Sequence, residues 1–223
     1  MNTQKGMLPL PAMWAEFIGT FALVFAGCGA VMSDVAYGGG VGHVGIALTF
    51  GLVVMVMIFA TGHVSGAHFN PAVSIAFWAI GRFPLRQVPA YVATQCVAAI
   101  AAVALLRSVY GDVGTYGQTV PVEAASSFAS IGFEVVLTFF LMFVITAVAT
   151  DDRAEGQLAG VAIGGTVALC ALFGGPVTGA SMNPARSLGP ALFSGELGVL
   201  WIYIVGPILG AVLGALSYTF LRD

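Results

Sequence analysis

Charge is what this sequence has least of. Of 223 residues only 8% are charged, seven basic and ten acidic, against 59% hydrophobic. That is far too little polar surface for a soluble globular domain of this size, and it reads as an integral membrane protein. The net charge of -3 comes from ionisable groups scattered between apolar runs, so no nucleic-acid footprint exists and gross charge does not steer a substrate. Cysteine is equally scarce: Cys28, Cys96 and Cys170 lie inside apolar runs without a CxxC spacing and read as core residues. The three histidines, His43, His63 and His68, have no metal-ligand spacing with a third donor nearby. No nucleophile–base pair is visible, and no phosphate-binding glycine loop precedes a polar helix. Neither an enzyme, a metal site nor a cofactor is expected.

Long apolar runs are what the chain has in abundance. Stretches able to span a bilayer fall at about 10–32, 42–61, 87–107, 128–149, 157–174 and 199–221. The first run, from about Leu8 to Met32, lacks the short core and polar cleavage segment of a signal peptide and is kept as a membrane helix. The glycines fall within these runs at spacings such as Gly206-x-x-x-Gly210-x-x-x-Gly214, the pattern of close helix packing in lipid.

A repeat organises the runs. Ser65-Gly66-Ala67-His68-Phe69-Asn70-Pro71-Ala72-Val73-Ser74 aligns without a gap on Thr178-Gly179-Ala180-Ser181-Met182-Asn183-Pro184-Ala185-Arg186-Ser187. Each Asn-Pro-Ala reads as a helix start, with Asn as N-cap and Pro at the first helical position, where its missing N–H has no partner anyway. The helices so begun, at about 70–80 and 183–193, cover roughly half of a ~30 Å bilayer core. Three spans plus one half-helix make each unit. Because three is odd, the second unit enters from the opposite side, and the repeats are inverted. The fold expected is an all-α membrane protein, six transmembrane helices plus two re-entrant half-helices, as one domain over 1–223 with repeats at about 8–110 and 126–223.

A second paired signal is Glu16-x-x-x-Thr20 in the first span and Glu134-x-x-x-Thr138 in the fourth. A carboxylate in a membrane is expensive and normally faces the bundle interior with a partner. Each Glu is read as a brace accepting backbone N–H bonds from the segment before a half-helix, the alternative being a helix-end position near the headgroups. Basic residues orient the chain: with a cytoplasmic N-terminus, Lys5, Arg82, Arg86, Arg153 and Arg222 lie inside and only Arg107 and Arg186 outside, so both termini are expected in the cytoplasm. The segment 111–127 reads as an external loop joining the halves, and 151–155 as a polar cytoplasmic turn.

The doubled Asn-Pro-Ala, the Ser-Gly-Ala-His before the first copy, the Ala-Arg-Ser after Pro184 and the paired Glu-x-x-x-Thr resemble the aquaporin, or major intrinsic protein, family over nearly the whole chain. The family's established logic is that opposed half-helix N-termini place roughly half a positive charge each at mid-membrane, repelling cations and protons while neutral solutes pass. Asn70 and Asn183 both cap and donate, using different atoms of one amide. The resemblance implies that backbone carbonyls of Gly66, Ala67 and His68, and of Gly179, Ala180 and Ser181, line the path. It implies a selectivity filter of Phe50, Ala171, Ala180 and Arg186, with His63 as a buried support for the first loop.

Arg186 stands where the first copy has Val73, so the two ends of the path are not equivalent. A snorkelling arginine is the alternative. Ala171 stands where strict water channels usually carry histidine, which leaves space for a carbon skeleton. Ser187, Ala191 and Tyr203 look water-channel-like, while Ile204 replaces a tryptophan usual in that group. The combination, with the run Gly51-Leu52-Val53-Val54-Met55-Val56-Met57, resembles the plant nodulin-type intrinsic proteins. The function implied is passive passage of water and small uncharged solutes such as glycerol, or mainly of water. A coupled transporter would need titratable groups at the midplane beyond the two bracing acids. By family analogy the chain forms a homotetramer in the cell (inner) membrane.

Overall fold

The computed structural model describes residues 9–154 and 156–222. Lys5, Leu8 and Glu155, used above for orientation and for the limits of the first run and the polar turn, lie outside the described residues. Among the described residues there are eight α-helices and no strand: α1 Leu10–Ala36, α2 Gly42–Ser65, α3 Pro71–Ala79, α4 Val88–Tyr110, α5 Ser127–Thr150, α6 Ala159–Thr178, α7 Pro184–Ser194 and α8 Ile202–Arg222. Six of them, α1, α2, α4, α5, α6 and α8, are long and apolar enough to cross a membrane. The other two, α3 with nine residues and α7 with eleven, are about 14 and 17 Å long at 1.5 Å per residue.

Turn chemistry sets the helix ends. Asp34 Oδ1 accepts from the N–H groups of Val41 and Gly42 at 3.0 and 2.7 Å, satisfying orphan donors at the start of α2. The Ser126 hydroxyl accepts from Ala129 N at 3.2 Å and caps α5. Gly66 and Gly179 close α2 and α6 in the left-handed region, at φ 84° and 82°. Sequence alone ends the fifth span at about 174, before Pro176. The helix instead continues to Thr178, because proline removes only one donor and His43 Nε2 meets the carbonyl it frees, Leu172 O, at 2.7 Å.

Glycine allows the long helices to approach closely. A Cβ on Gly51 would lie 2.5 Å from Gly164 O, and a Cβ on Gly164 2.5 Å from Gly51 O, so α2 and α6 cross with their backbones nearly touching. The Gly206, Gly210 and Gly214 stripe of α8 lies in the same way on α5. The pairs α1–α4 and α5–α8 flank the α2–α6 seam. The half-helices cross over, α3 packing on α8 as well as α4, and α7 on α4. Their N-termini therefore meet near the centre of the bundle.

At the far end of α5, Asp151 holds the next turn. Its carboxylate accepts from Arg153 N, Nε and Nη2 at 3.0, 2.9 and 2.6 Å and from the Tyr218 hydroxyl of α8 at 3.0 Å. Hydrogen bonds from Arg153 hold this carboxyl well below the ordinary carboxylate range. The folded value is depressed, so the contact stabilises the fold above the ordinary range and is lost only as pH falls through the lowered value. The arginine is largely exposed, and solvent screens the pair.

Candidate functional site

The loops leading into α3 and α7 carry the polar groups of the bundle interior. Each takes left-handed turns at matching positions: Gly66, Ala67 and Phe69 at φ 84°, 51° and 51°, and Gly179, Ala180 and Met182 at 82°, 43° and 53°. Glycine alone therefore does not account for the runs. Four of the six residues carry a Cβ in a region that costs about 1–3 kcal/mol each unless the surroundings impose it.

The surroundings that impose it are the two acids. Glu16, buried in α1, accepts from Ser65 Oγ and His68 N through Oε1, both at 2.8 Å, and from Phe69 N and Gln95 Nε2 through Oε2 at 2.7 and 2.8 Å. Glu134, buried in α5, accepts from Thr178 Oγ1 and Ser181 N through Oε1 at 2.7 and 2.9 Å, and from Met182 N through Oε2 at 2.9 Å. Neither acid lies at a headgroup-facing helix end. Tyr91 and Tyr203 donate to the last carbonyls before the loops, Ser65 O and Thr178 O, at 2.9 and 2.7 Å.

Asn70 and Asn183 face each other across the meeting point. Asn70 Oδ1 accepts from Ala72 N at 2.9 Å, and Asn183 Oδ1 from Ala185 N at 3.0 Å and Arg186 N at 3.3 Å. Their amide nitrogens also cross over, Asn70 Nδ2 donating to Met182 O at 2.7 Å and Asn183 Nδ2 to Phe69 O at 2.9 Å. Each amide thus caps its helix, ties the other loop and keeps one N–H in hand. The cross-tie has no sequence signal, since it joins a side chain of one half to a carbonyl of the other. Pro71, Ala72, Pro184 and Ala185 are buried behind the two asparagines.

A passage of about 450 Å³ runs past this point. Gly66, Ala67, His68, Asn70, Ala180, Ser181 and Asn183 line it, together with apolar residues that include Leu23, Val54, Ile163 and Val167. Gly179 is not part of this lining; a Cβ there would lie 3.0 Å from the Thr119 side chain, so it backs onto the 111–126 loop. No acid lines the passage among the described residues, and its one cation is Arg186.

Phe50, Ala171, Ala180 and Arg186 all border the passage. Arg186 is 5% exposed, so it does not snorkel to a surface. Its Nη1 donates to Gly117 O at 2.6 Å, and its Cζ lies 4.8 Å from the centre of the Phe50 ring. The same ring also rests on Gly27, where a Cβ would overlap it. No solute fits between Phe50 and Arg186 at that separation. Ala171 and Ala180 border the passage with methyl groups only.

One expectation requires correction. His63 is not a buried support: it is exposed, lines the passage and makes no hydrogen bond among the described residues. It stands within the last turn of α2, which opens onto the passage. Ser74 and Gln95 support the first loop instead. Ser74 Oγ meets His68 Nδ1 at 2.9 Å, and Gln95 Nε2 donates to it at 3.1 Å. In the second half Ser181 Oγ, Ser187 Oγ and Thr119 Oγ1 form a chain with steps of 2.6 and 2.7 Å. Ser74 and Ser187 occupy matching positions of the repeat, a signal available in the sequence. Gly117 and Thr119 belong to the joining loop, where nothing in the sequence marks them.

Six helices long and apolar enough to cross a membrane, with two half-helices meeting end to end beside an internal passage, are the architecture of a helical membrane channel. The family model described as major intrinsic protein matches residues 4–218. The chain belongs to the major intrinsic protein family, whose members are channels and not enzymes. It is 52% identical over 209 residues to aquaporin NIP1-1 of Zea mays, covering 93% of this chain and 73% of that one. It is 53% identical over 220 residues to aquaporin NIP3-1 of Arabidopsis thaliana, covering 93% and 66%. The X-ray structure of the aquaglyceroporin from Plasmodium falciparum matches with a TM-score of 0.84 over 97% of this chain and 96% of that one, at 24% identity, a likeness of fold.

Proposed function

We propose that this protein conducts water and small uncharged solutes such as glycerol passively, and excludes ions and protons. The observation that carries the reading is the composition of the passage: polar residues of the two loops, Asn70 and Asn183 among them, share the lining with apolar side chains, and Arg186 is its one charged residue among the described residues. A polyol suits such a lining, its hydroxyls on the polar groups and its carbon skeleton against the apolar ones. The two half-helix N-termini and Arg186 add positive potential, which repels cations without binding a neutral solute. In this reading Phe50, Ala171, Ala180 and Arg186 are the selectivity filter, and the methyl groups of Ala171 and Ala180 leave the slot wide enough for carbon.

The contact between Phe50 and Arg186 favours a second reading, a mainly water-selective channel, because it closes one side of the slot. The relatives at about half identity carry the name aquaporin, which suits both. By family analogy four subunits assemble with a passage in each, and both termini lie in the cytoplasm.

Stopped-flow light scattering on proteoliposomes separates the readings. Under an osmotic step the vesicles are expected to shrink faster than empty ones with a low activation energy, and to re-swell faster when glycerol is outside. No acceleration of either sinks the channel reading; fast shrinkage without glycerol entry selects the water-selective one. Asn183→Asp tests ion exclusion in the same vesicles. A carboxylate there has no donor for Phe69 O and sets a negative charge between the half-helix ends. The variant is expected to fold poorly or to admit protons or cations, measured with an entrapped pH dye. Wild-type folding and wild-type tightness would remove Asn183 from the mechanism.

A further inference from the structure

Pro176 lies inside α6, four residues after Leu172. A proline has no N–H, so Leu172 O loses its normal helical partner, and a buried or lipid-facing carbonyl without a partner is costly. The donor comes from another helix. His43, in the first turn of α2, places Nε2 2.7 Å from Leu172 O. A carbonyl oxygen only accepts, so Nε2 carries the proton. The fit is close: a Cβ on Gly175 would lie 2.7 Å from His43 Cε1, so the glycine one residue before Pro176 makes room for the ring.

The clasp holds the turn of α6 that carries Ala171. Leu172 follows Ala171, and Phe50 lies seven residues, about two turns, after His43 on the same helix. Ala171 is thus tied to the start of α2 through Leu172 and His43. Beyond the clasp α6 runs only to Thr178, and its cap, Gly179 N on Gly175 O at 2.9 Å, opens the loop that carries Ala180. Beside Phe50 the spacing of α2 and α6 is set by Gly51, where a Cβ would lie 2.5 Å from Gly164 O and from the Ala168 Cβ. Nearer the end of α6, past Ala171, the hydrogen bond from His43 sets it.

We infer that His43 is a specificity-positioning residue: it replaces the donor that Pro176 removes and so holds in place the end of α6 that carries Ala171 and leads into the Ala180 loop. This rests on the reading above that the passage is the conduit. His43 touches no solute; it acts through Leu172 and the end of α6.

The test uses full-length protein in proteoliposomes and four variants: His43→Phe, which keeps a ring but no donor; His43→Gln, which keeps a donor; Pro176→Ala, which returns the backbone N–H to Leu172 O; and the double variant His43→Phe/Pro176→Ala. His43→Phe is expected to raise the glycerol-to-water permeability ratio about threefold, within the range that the loss of one net hydrogen bond allows. His43→Gln and the double variant are expected to return it to the wild-type value. A ratio in His43→Phe equal to wild type, or a double variant no closer to wild type than the single, overturns the proposal. Hydrogen–deuterium exchange at the Thr178 and Gly179 amides reads the clasp without any permeation. It is expected to quicken in His43→Phe and recover in the double variant. Unchanged exchange overturns the clasp itself, whereas quickened exchange in a protein that conducts nothing supports the clasp and removes the conduit reading alone.

Discussion

Glu16→Ala and Glu134→Ala are each expected to leave no folded channel. Glu16 holds four donors, two of them backbone N–H groups, and Glu134 holds three, again with two backbone N–H groups. A buried donor stripped of its acceptor costs about 1–3 kcal/mol, and hydrogen bonds to a charged group lie at the upper end. The left-handed residues that each carboxylate pins, Ala67 and Phe69 or Ala180 and Met182, would add about 1–3 kcal/mol apiece of strain no longer offset. Either sum approaches the 5–15 kcal/mol, roughly, that separates folded from unfolded protein. Conservative variants grade the effect: glutamine keeps one acceptor oxygen and turns an N–H towards donors, so Glu134→Gln should fold with a lower Tm and Glu134→Ala should not be recovered as a monodisperse species. Thermal unfolding and size-exclusion chromatography in mild detergent measure both. An alanine variant with wild-type Tm would show that the loops hold their shape without the acids.

The same two acids show what a sequence can disclose about such a site. A carboxylate inside an apolar run has few tolerable explanations, and a pair of them at corresponding places in two repeats narrows these further. Asn-Pro-Ala is legible for a related reason, since N-cap and first-turn preferences are local. What stayed hidden joins residues far apart in the chain. The cross-ties from Asn70 to Met182 and from Asn183 to Phe69, the Gly117 carbonyl on Arg186, and the Phe50 ring against Gly27 and Arg186 have no spacing to betray them. His63 is the opposite case. A histidine in an apolar helix suggests burial among partners, but α2 is a wall of the passage, so a polar side chain in its last turn faces water.

Ala171→His is expected to cut glycerol permeability at least tenfold while water flow falls by less than about threefold, a discrimination of the order that one added group in a tight pocket provides. The direction follows from the contact between Arg186 and Phe50. With the Arg186 Cζ 4.8 Å from the Phe50 ring centre, and that ring seated on Gly27, neither side chain can retreat to widen the slot. Ala171 and Ala180 border the passage with methyl groups only, and a ring at position 171 projects into it. Water, one oxygen wide, passes a gap that a three-carbon chain does not, and it gains a new polar contact from the imidazole. Enlarging the opposite corner, Ala180→Leu, tests whether volume or polarity matters. It should exclude glycerol as histidine does but also slow water, since an alkyl group offers no hydrogen bond in exchange for the hydration it displaces. If both variants conduct glycerol and water in the wild-type ratio, position 171 does not border the narrowest point, and the solute is selected elsewhere along the passage.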